Sequence, residues 1–262
     1  MDEPLVGEVV GQRGPTLVSE PAQPYARRRR MAQLLVAVNV GVYLLMVLRG
    51  VSPLNPSLDA LHQWGALDPV SFFAGQHWRI LTSQFVHIGI LHLALNMWCL
   101  WSLAELAESL FGGWTTVAVY LLSGATGGLL SIVWTLLRYG HGPWPISAGA
   151  SGAIFGIAGA IVTSLRLGRH RLHPEVRRSI SNSALRFALL NLVFGLLPGV
   201  DNAAHLGGMV GGLILGAAYA AQGSMVVQEN RPAQRAIASL IFAVVLFVLM
   251  QWLFPGRNGR WL

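Results

Sequence analysis

Seven stretches of roughly twenty residues, almost free of charged side chains, leave this chain little choice of surroundings. They run approximately over 31–48, 86–107, 114–137, 149–167, 184–200, 203–222 and 234–254. A helix of about 20 apolar residues crosses a bilayer, and within lipid a helix satisfies its own backbone groups. An enlarged soluble core does not explain the pattern. Asp, Glu, Lys and Arg make up only 11% of the 262 residues, against about 25% in soluble domains. The expected fold class is an all-α polytopic membrane protein, with the lipid bilayer as its first partner.

Charge then sets the expected orientation. The basic residues are all arginine, and the net charge is +7. They gather at the edges of apolar runs instead of interleaving with aromatics along a groove, so no nucleic-acid partner is expected. Arg27–Arg30 precede the first run, Arg166, Arg169, Arg171, Arg177, Arg178 and Arg186 lie around the fourth-to-fifth connection, and Arg231 and Arg235 precede the seventh. If the spans alternate, all three groups share one side, and positive-inside bias makes that side the cytoplasm. Arg257 and Arg260 fall opposite. Residues 1–30 show no periodicity and no apolar segment of a signal peptide, and read as a disordered, basic-ended cytoplasmic tail. The connection over about 49–85 is then exoplasmic. Its Trp64, Phe72, Phe73 and Trp78 suit short amphipathic helices at the headgroups. Arginine-only basic usage and short loops point to a prokaryotic plasma membrane.

Polar groups inside such runs are costly unless they face inward and act there. The chain places Ser151 in Gly149-Ala150-Ser151-Gly152, His205 in Ala204-His205-Leu206-Gly207-Gly208, and His92 with Asn96 in the second span. Ser151 and His205 open the fourth and sixth spans at the same end and matching depth. Gly152, Gly156 and Ala160 form a stripe of small residues at four-residue spacing, as do Gly208, Gly212 and Gly216. Such stripes let helices approach closely in membranes. Each could pack on some other helix; paired, they bring a serine hydroxyl to an imidazole. That is a nucleophile with its base. No carboxylate completes a triad, since Asp201 could only be a distant orienter, so a Ser–His dyad is the economical arrangement. His92 and Asn96 share a helix face and can donate to an oxyanion above Ser151.

Zinc is the competing chemistry for several histidines. There is no His-Glu-x-x-His, Cys99 stands alone, and His87 and His92 are five residues apart, about 140° around a helix. No metal and no cofactor is expected. The lone Cys99 also leaves the redox compartment open.

Five motifs in order carry a resemblance: Trp78-Arg79, His87-x4-His92-x3-Asn96, Glu108-x3-Gly112, Gly149-x-Ser151-Gly152 and Ala204-His205-x2-Gly208-x3-Gly212. Together they resemble the rhomboid intramembrane serine proteases. The resemblance implies a six-helix core over 31–222, plus one added helix within 223–262. It implies Ser151 as nucleophile, His205 as general base, and His92, Asn96 and the Ser151 N–H as oxyanion donors. Phe155 would pack on the histidine, supported by Gly149, Gly152 and Gly208. Trp78 and Arg79 would anchor the first loop, and Glu108 would be structural. The implied activity is cleavage of transmembrane protein substrates near the exoplasmic face. A catalytically inactive, client-binding relative is the alternative. A transporter would instead need midplane polar groups and an internal repeat. The oligomeric state is not legible.

Overall fold

The computed structural model describes residues 30–140, 144–168, 172–221 and 232–253. The expected tail, most of the linker after 222 and the C-terminal arginines lie outside them. Helices in chain order are α1 (Arg30–Leu48), α2 (Leu58–Gln63), α3 (Pro69–Phe73), α4 (Arg79–Thr82), α5 (Ile90–Phe111), α6 (Gly113–Tyr139), α7 (Ser151–Leu167), α8 (Pro174–Phe194), α9 (Asn202–Ala221) and α10 (Pro232–Leu253). Among the described residues there is no β-strand, only an isolated antiparallel bridge between Leu67 and Ser147. The molecule is an all-α polytopic membrane protein. Helices α1, α5, α6, α9 and α10 are each long and apolar enough to cross a bilayer.

Two expected spans are placed differently. The second begins at Ile90, not near 86, because the chain makes a turn that only glycine tolerates well. Gly89 sits at φ 84°, and a Cβ there would lie 2.5 Å from the Leu54 carbonyl oxygen. The fifth begins ten residues early, at Pro174, and stops at Phe194 instead of 200. Proline at the first helical position and Glu175 in the first turn both favour a start there. Apolar periodicity missed it because its first half carries Glu175, Arg177, Arg178, Ser181 and Asn182.

Helix α7 is the hub. Its 17 residues include a buried stretch unbroken from Gly152 to Val162, as expected of a helix apolar all round. At about 1.5 Å per residue it spans roughly 25 Å, against roughly 40 Å for the 27-residue α6. A short helix walled by longer ones recesses its first residue, Ser151. The walls close in through glycine. A Cβ at Gly208 would fall on the Gly152 carbonyl, at Gly212 on the Gly156 carbonyl, and at Gly216 2.6 Å from the Ala160 carbonyl oxygen. The two stripes therefore face each other in parallel register. A second face of α9, Gly207 and Gly211, meets Thr126 and Gly127 of α6 in the same way, which the stripe reading did not include.

The first loop folds as three short helices. Ser57 caps α2 and Asp68 caps α3, the latter accepting the Ser71 N–H at 2.9 Å. Phe72 is fully buried with Ile80, Leu129, Ile132 and Met250. It is thus a core residue rather than a headgroup anchor, since α3 lies against α6. At the opposite end of the bundle, Glu108 accepts the N–H of Ala32 at 2.8 Å and caps α1. There Arg235 of α10 donates to the Phe111 carbonyl at 2.6 Å.

Candidate active site

Ser151 is the first residue of α7, so its backbone N–H has no acceptor within the helix. The turn before it is held by the first loop. Leu67 and Ser147 exchange backbone bonds at 2.9 and 2.8 Å, and the Gly149 N–H donates to the Ser83 carbonyl at 2.9 Å. The Ala150 N–H donates to His87 Nε2 at 3.4 Å. His87 Nδ1 in turn donates to the Phe85 carbonyl at 3.2 Å. Segment 83–87 is itself fastened to α6, where Gln84 Nε2 donates to the Leu121 carbonyl and the Tyr120 hydroxyl donates to the Gln84 carbonyl. Gly149 sits at φ 124°, and a Cβ there would lie 2.6 Å from the His92 ring. Both the backbone and the space require glycine.

His205 lies in the first turn of α9 and is buried. Its Nε2 is 2.9 Å from Ser151 Oγ. The Phe155 ring stacks on the imidazole at 4.3 Å and 9°. Its Nδ1 faces Asn202 Oδ1 at 3.2 Å, while Asn202 Nδ2 donates to the Leu192 carbonyl of α8 at 3.1 Å. With the amide turned that way, Nδ1 must carry the proton. The Nε2 lone pair is then free to accept from the serine hydroxyl.

The Asp201 carboxylate makes no hydrogen bond to the His205 ring, although the Asp201 carbonyl accepts the His205 N–H at 3.2 Å. Its Oδ1 accepts the Ala204 N–H at 2.9 Å and caps α9, while Oδ2 accepts the hydroxyls of Ser131 at 2.5 Å and Ser147 at 2.6 Å. It ties α6, the turn before Ser151 and the start of α9 to one carboxylate. The side chain that faces His205 Nδ1 is instead that of its neighbour, Asn202. The signal for Asn202 was present as an amide three residues before His205 on one helix face.

His92 borders the same space. Its Nδ1 accepts the Ile88 N–H at 3.3 Å, which leaves the proton on Nε2, next to Gly149. Asn96 Nδ2 donates one hydrogen to the His92 carbonyl at 2.8 Å and keeps a second. His87 precedes α5 instead of lying within it, yet its ring stands 5.3 Å from that of His92. Gly152 and Gly208 sit at the first contact of the α7–α9 seam.

Trp78 and Arg79 stand apart from these groups. Arg79 is buried and donates to Gln76 Oε1 (2.7 Å) and to the carbonyls of His62 (2.6 Å) and Ala66 (2.8 Å). The half-exposed Trp78 ring lies 4.7 Å from its guanidinium.

Comparison with known proteins bears on the whole arrangement. The family model described as "Rhomboid domain" matches residues 74–222. "Rhomboid protease AarA" of Providencia stuartii is 30% identical over 240 residues, covering 86% of this chain and 83% of that protein. "Rhomboid protease GluP" of Bacillus subtilis (strain 168) is 34% identical over 186 residues, 71% of this chain. The chain spans only about a third, 34%, of that longer relative. "RHOMBOID-like protein 6, mitochondrial" of Arabidopsis thaliana is 32% identical over 225 residues, covering 79% and 70% of the two chains.

Proposed function

The chain belongs to the rhomboid family, and we propose that it is an intramembrane serine endopeptidase acting through a Ser151–His205 dyad. The observation that carries this reading is the 2.9 Å approach of Ser151 Oγ to His205 Nε2, with the imidazole proton drawn to the far nitrogen by Asn202. Ser151 Oγ attacks a peptide carbonyl as its proton passes to Nε2. The developing oxyanion takes hydrogen bonds from the Ser151 N–H, His92 Nε2 and Asn96 Nδ2. His205 then gives its proton to the departing amine, the C–N bond breaks, and an acyl ester remains on Ser151 until water hydrolyses it.

The substrate is a transmembrane protein whose helix unwinds near its end to present a peptide bond. Glycine or proline near the cut lowers that cost by about 1 to 3 kcal/mol per residue. The arginine distribution supports a cytoplasmic N-terminus, and hence cleavage toward the exoplasmic face of a plasma membrane.

Purified protein in liposomes should cleave a single-span reporter. Ser151→Ala should abolish cleavage, and a fluorophosphonate should label Ser151 in the parent but not in His205→Ala. Full activity in Ser151→Ala would remove the nucleophile assignment. Absence of both labelling and cleavage in the parent would favour an inactive, client-binding member.

A further inference from the structure

At the end of α7 remote from Ser151, a cavity of about 290 Å³ opens between the last turn of α7 and the first turns of α8. Arg166, Arg177 and Arg178 line it with Ser181 and Asn182, and no carboxylate is among its lining residues. Two of the arginines are positioned by the fold. Arg166 donates from Nε to Ser181 Oγ at 3.0 Å and from Nη2 to Asn182 Oδ1 at 3.3 Å. Arg177 Nη1 donates to the Gly168 carbonyl at 3.4 Å. A guanidinium has five N–H donors, so both keep most of theirs for something else. Arg178 is exposed, and its donors meet no acceptor among the described residues.

Three cations lie around one space whose lining residues include no carboxylate, which makes it attractive to an anion. We propose that this cavity is a binding site for a phosphate-bearing anion, namely the headgroup phosphate of an anionic lipid in the leaflet opposite Ser151. Arginine forks match phosphate oxygens in pairs. The depth fits as well. Helix α7 is roughly 25 Å long, close to the roughly 30 Å hydrocarbon core, which sets the cavity at the headgroups. Exposed Leu167 and Val176 flank the arginines, offering acyl chains an apolar rim beside a basic pocket.

The test uses the full chain in a neutral detergent. Native mass spectrometry would follow added phosphatidylglycerol, phosphatidylcholine of the same chain length, or sodium phosphate. One phosphatidylglycerol should be retained in preference to phosphatidylcholine. Its affinity should fall about fivefold in Arg178→Gln and about 25-fold in Arg166→Gln/Arg178→Gln, at the usual contribution of one basic group near an anionic headgroup. Arg178 bonds to no described residue, so its variant should keep the parent unfolding temperature and remain informative if the double variant folds poorly. Tight binding of sodium phosphate with no lipid preference would keep the phosphate chemistry and overturn the lipid source. Equal retention of both lipids with no phosphate binding, or unchanged affinity in Arg178→Gln, would overturn the site.

Discussion

Gly127 offers a direct test of how the dyad is positioned, because the backbone beside His205 rests against it. A Cβ at Gly127 would lie 2.6 Å from the Ala204 carbonyl oxygen, where ordinary contact begins at 3.4 Å. Gly127→Ala therefore forces a retreat of 3.4 − 2.6 = 0.8 Å. Helix α9 cannot take this up by closing on α7, since Gly208 and Gly212 already lie against the carbonyls of Gly152 and Gly156. It must tilt or slide instead. His205 is the next residue in the chain, and a rigid shift of that size could lengthen its contact with Ser151 from 2.9 to 2.9 + 0.8 = 3.7 Å. Hydrogen bonds of this kind weaken steeply beyond about 3.2 Å.

Stability and activity should part company in this variant. Overpacking costs about 1–3 kcal/mol, offset by up to about 1 kcal/mol of helix propensity gained on leaving glycine. Displacement of a catalytic group by about an ångström costs about 100-fold in rate. Cleavage of a fluorescent transmembrane reporter in liposomes should thus fall about 100-fold, with thermal unfolding lowered by only a few degrees. Gly41→Ala on α1, where a Cβ meets nothing within 4 Å, should leave the rate unchanged. Parental cleavage by Gly127→Ala would refute the claim that the α6–α9 contact sets the Ser151–His205 distance.

Other side chains separate orientation from support. Asn202→Ala should lower kcat about tenfold to 100-fold with KM little changed, since it frees the imidazole to take the wrong tautomer; equal kcat would show that Phe155 stacking orients His205 unaided. Asp201→Ala removes the α9 cap and two hydroxyl contacts, and should cost about 1–3 kcal/mol in denaturant unfolding as well as activity. Arg79→Gln leaves the buried Ala66 carbonyl unpaired and takes one of two donors from the His62 carbonyl, an expected loss of about 1–3 kcal/mol. Its activity should fall too, read as slower fluorophosphonate labelling of Ser151. Glu108→Gln keeps an acceptor for the α1 N-terminus but loses its charge, so a drop of about 0.3–1 kcal/mol is expected, with labelling unchanged.

What could be read from the sequence divides along a physical line. Periodic and compositional features were legible: the long apolar helices, and the stripes at 152/156/160 and 208/212/216 that meet across α7 and α9. These depend on spacing along one helix, which a sequence displays. The starts of α5 and α8 were not legible, because Gly89 and Pro174 set them through backbone geometry and not through hydropathy. Nor was the way Asp201 and Asn202 divide capping from orientation, which depends on the direction each side chain leaves one turn. Contacts between distant segments were hidden for the same reason. The bonds from Leu67, Ser83 and His87 to the turn over 147–150 have no periodic trace.

Those hidden contacts explain why a first loop without a catalytic group could govern the dyad. The turn before Ser151 hangs on residues 67–87, while the His205 ring is oriented from α8 through Asn202. The two supports meet through the α7–α9 backbone seam, through α6, through Phe155, which stacks on His205, and through the Asp201 carboxylate, which reaches Ser147 on one side and Ala204 on the other. Each half of the dyad nonetheless has fastenings of its own. Loosening the first loop should move Ser151 and leave the imidazole tautomer intact, whereas loosening the end of α8 should do the reverse. A double substitution, one in each support, should then lower labelling multiplicatively, as expected for separated sites. A variant pair in which either change alone removes all activity would show that the seam, not the supports, holds the site together.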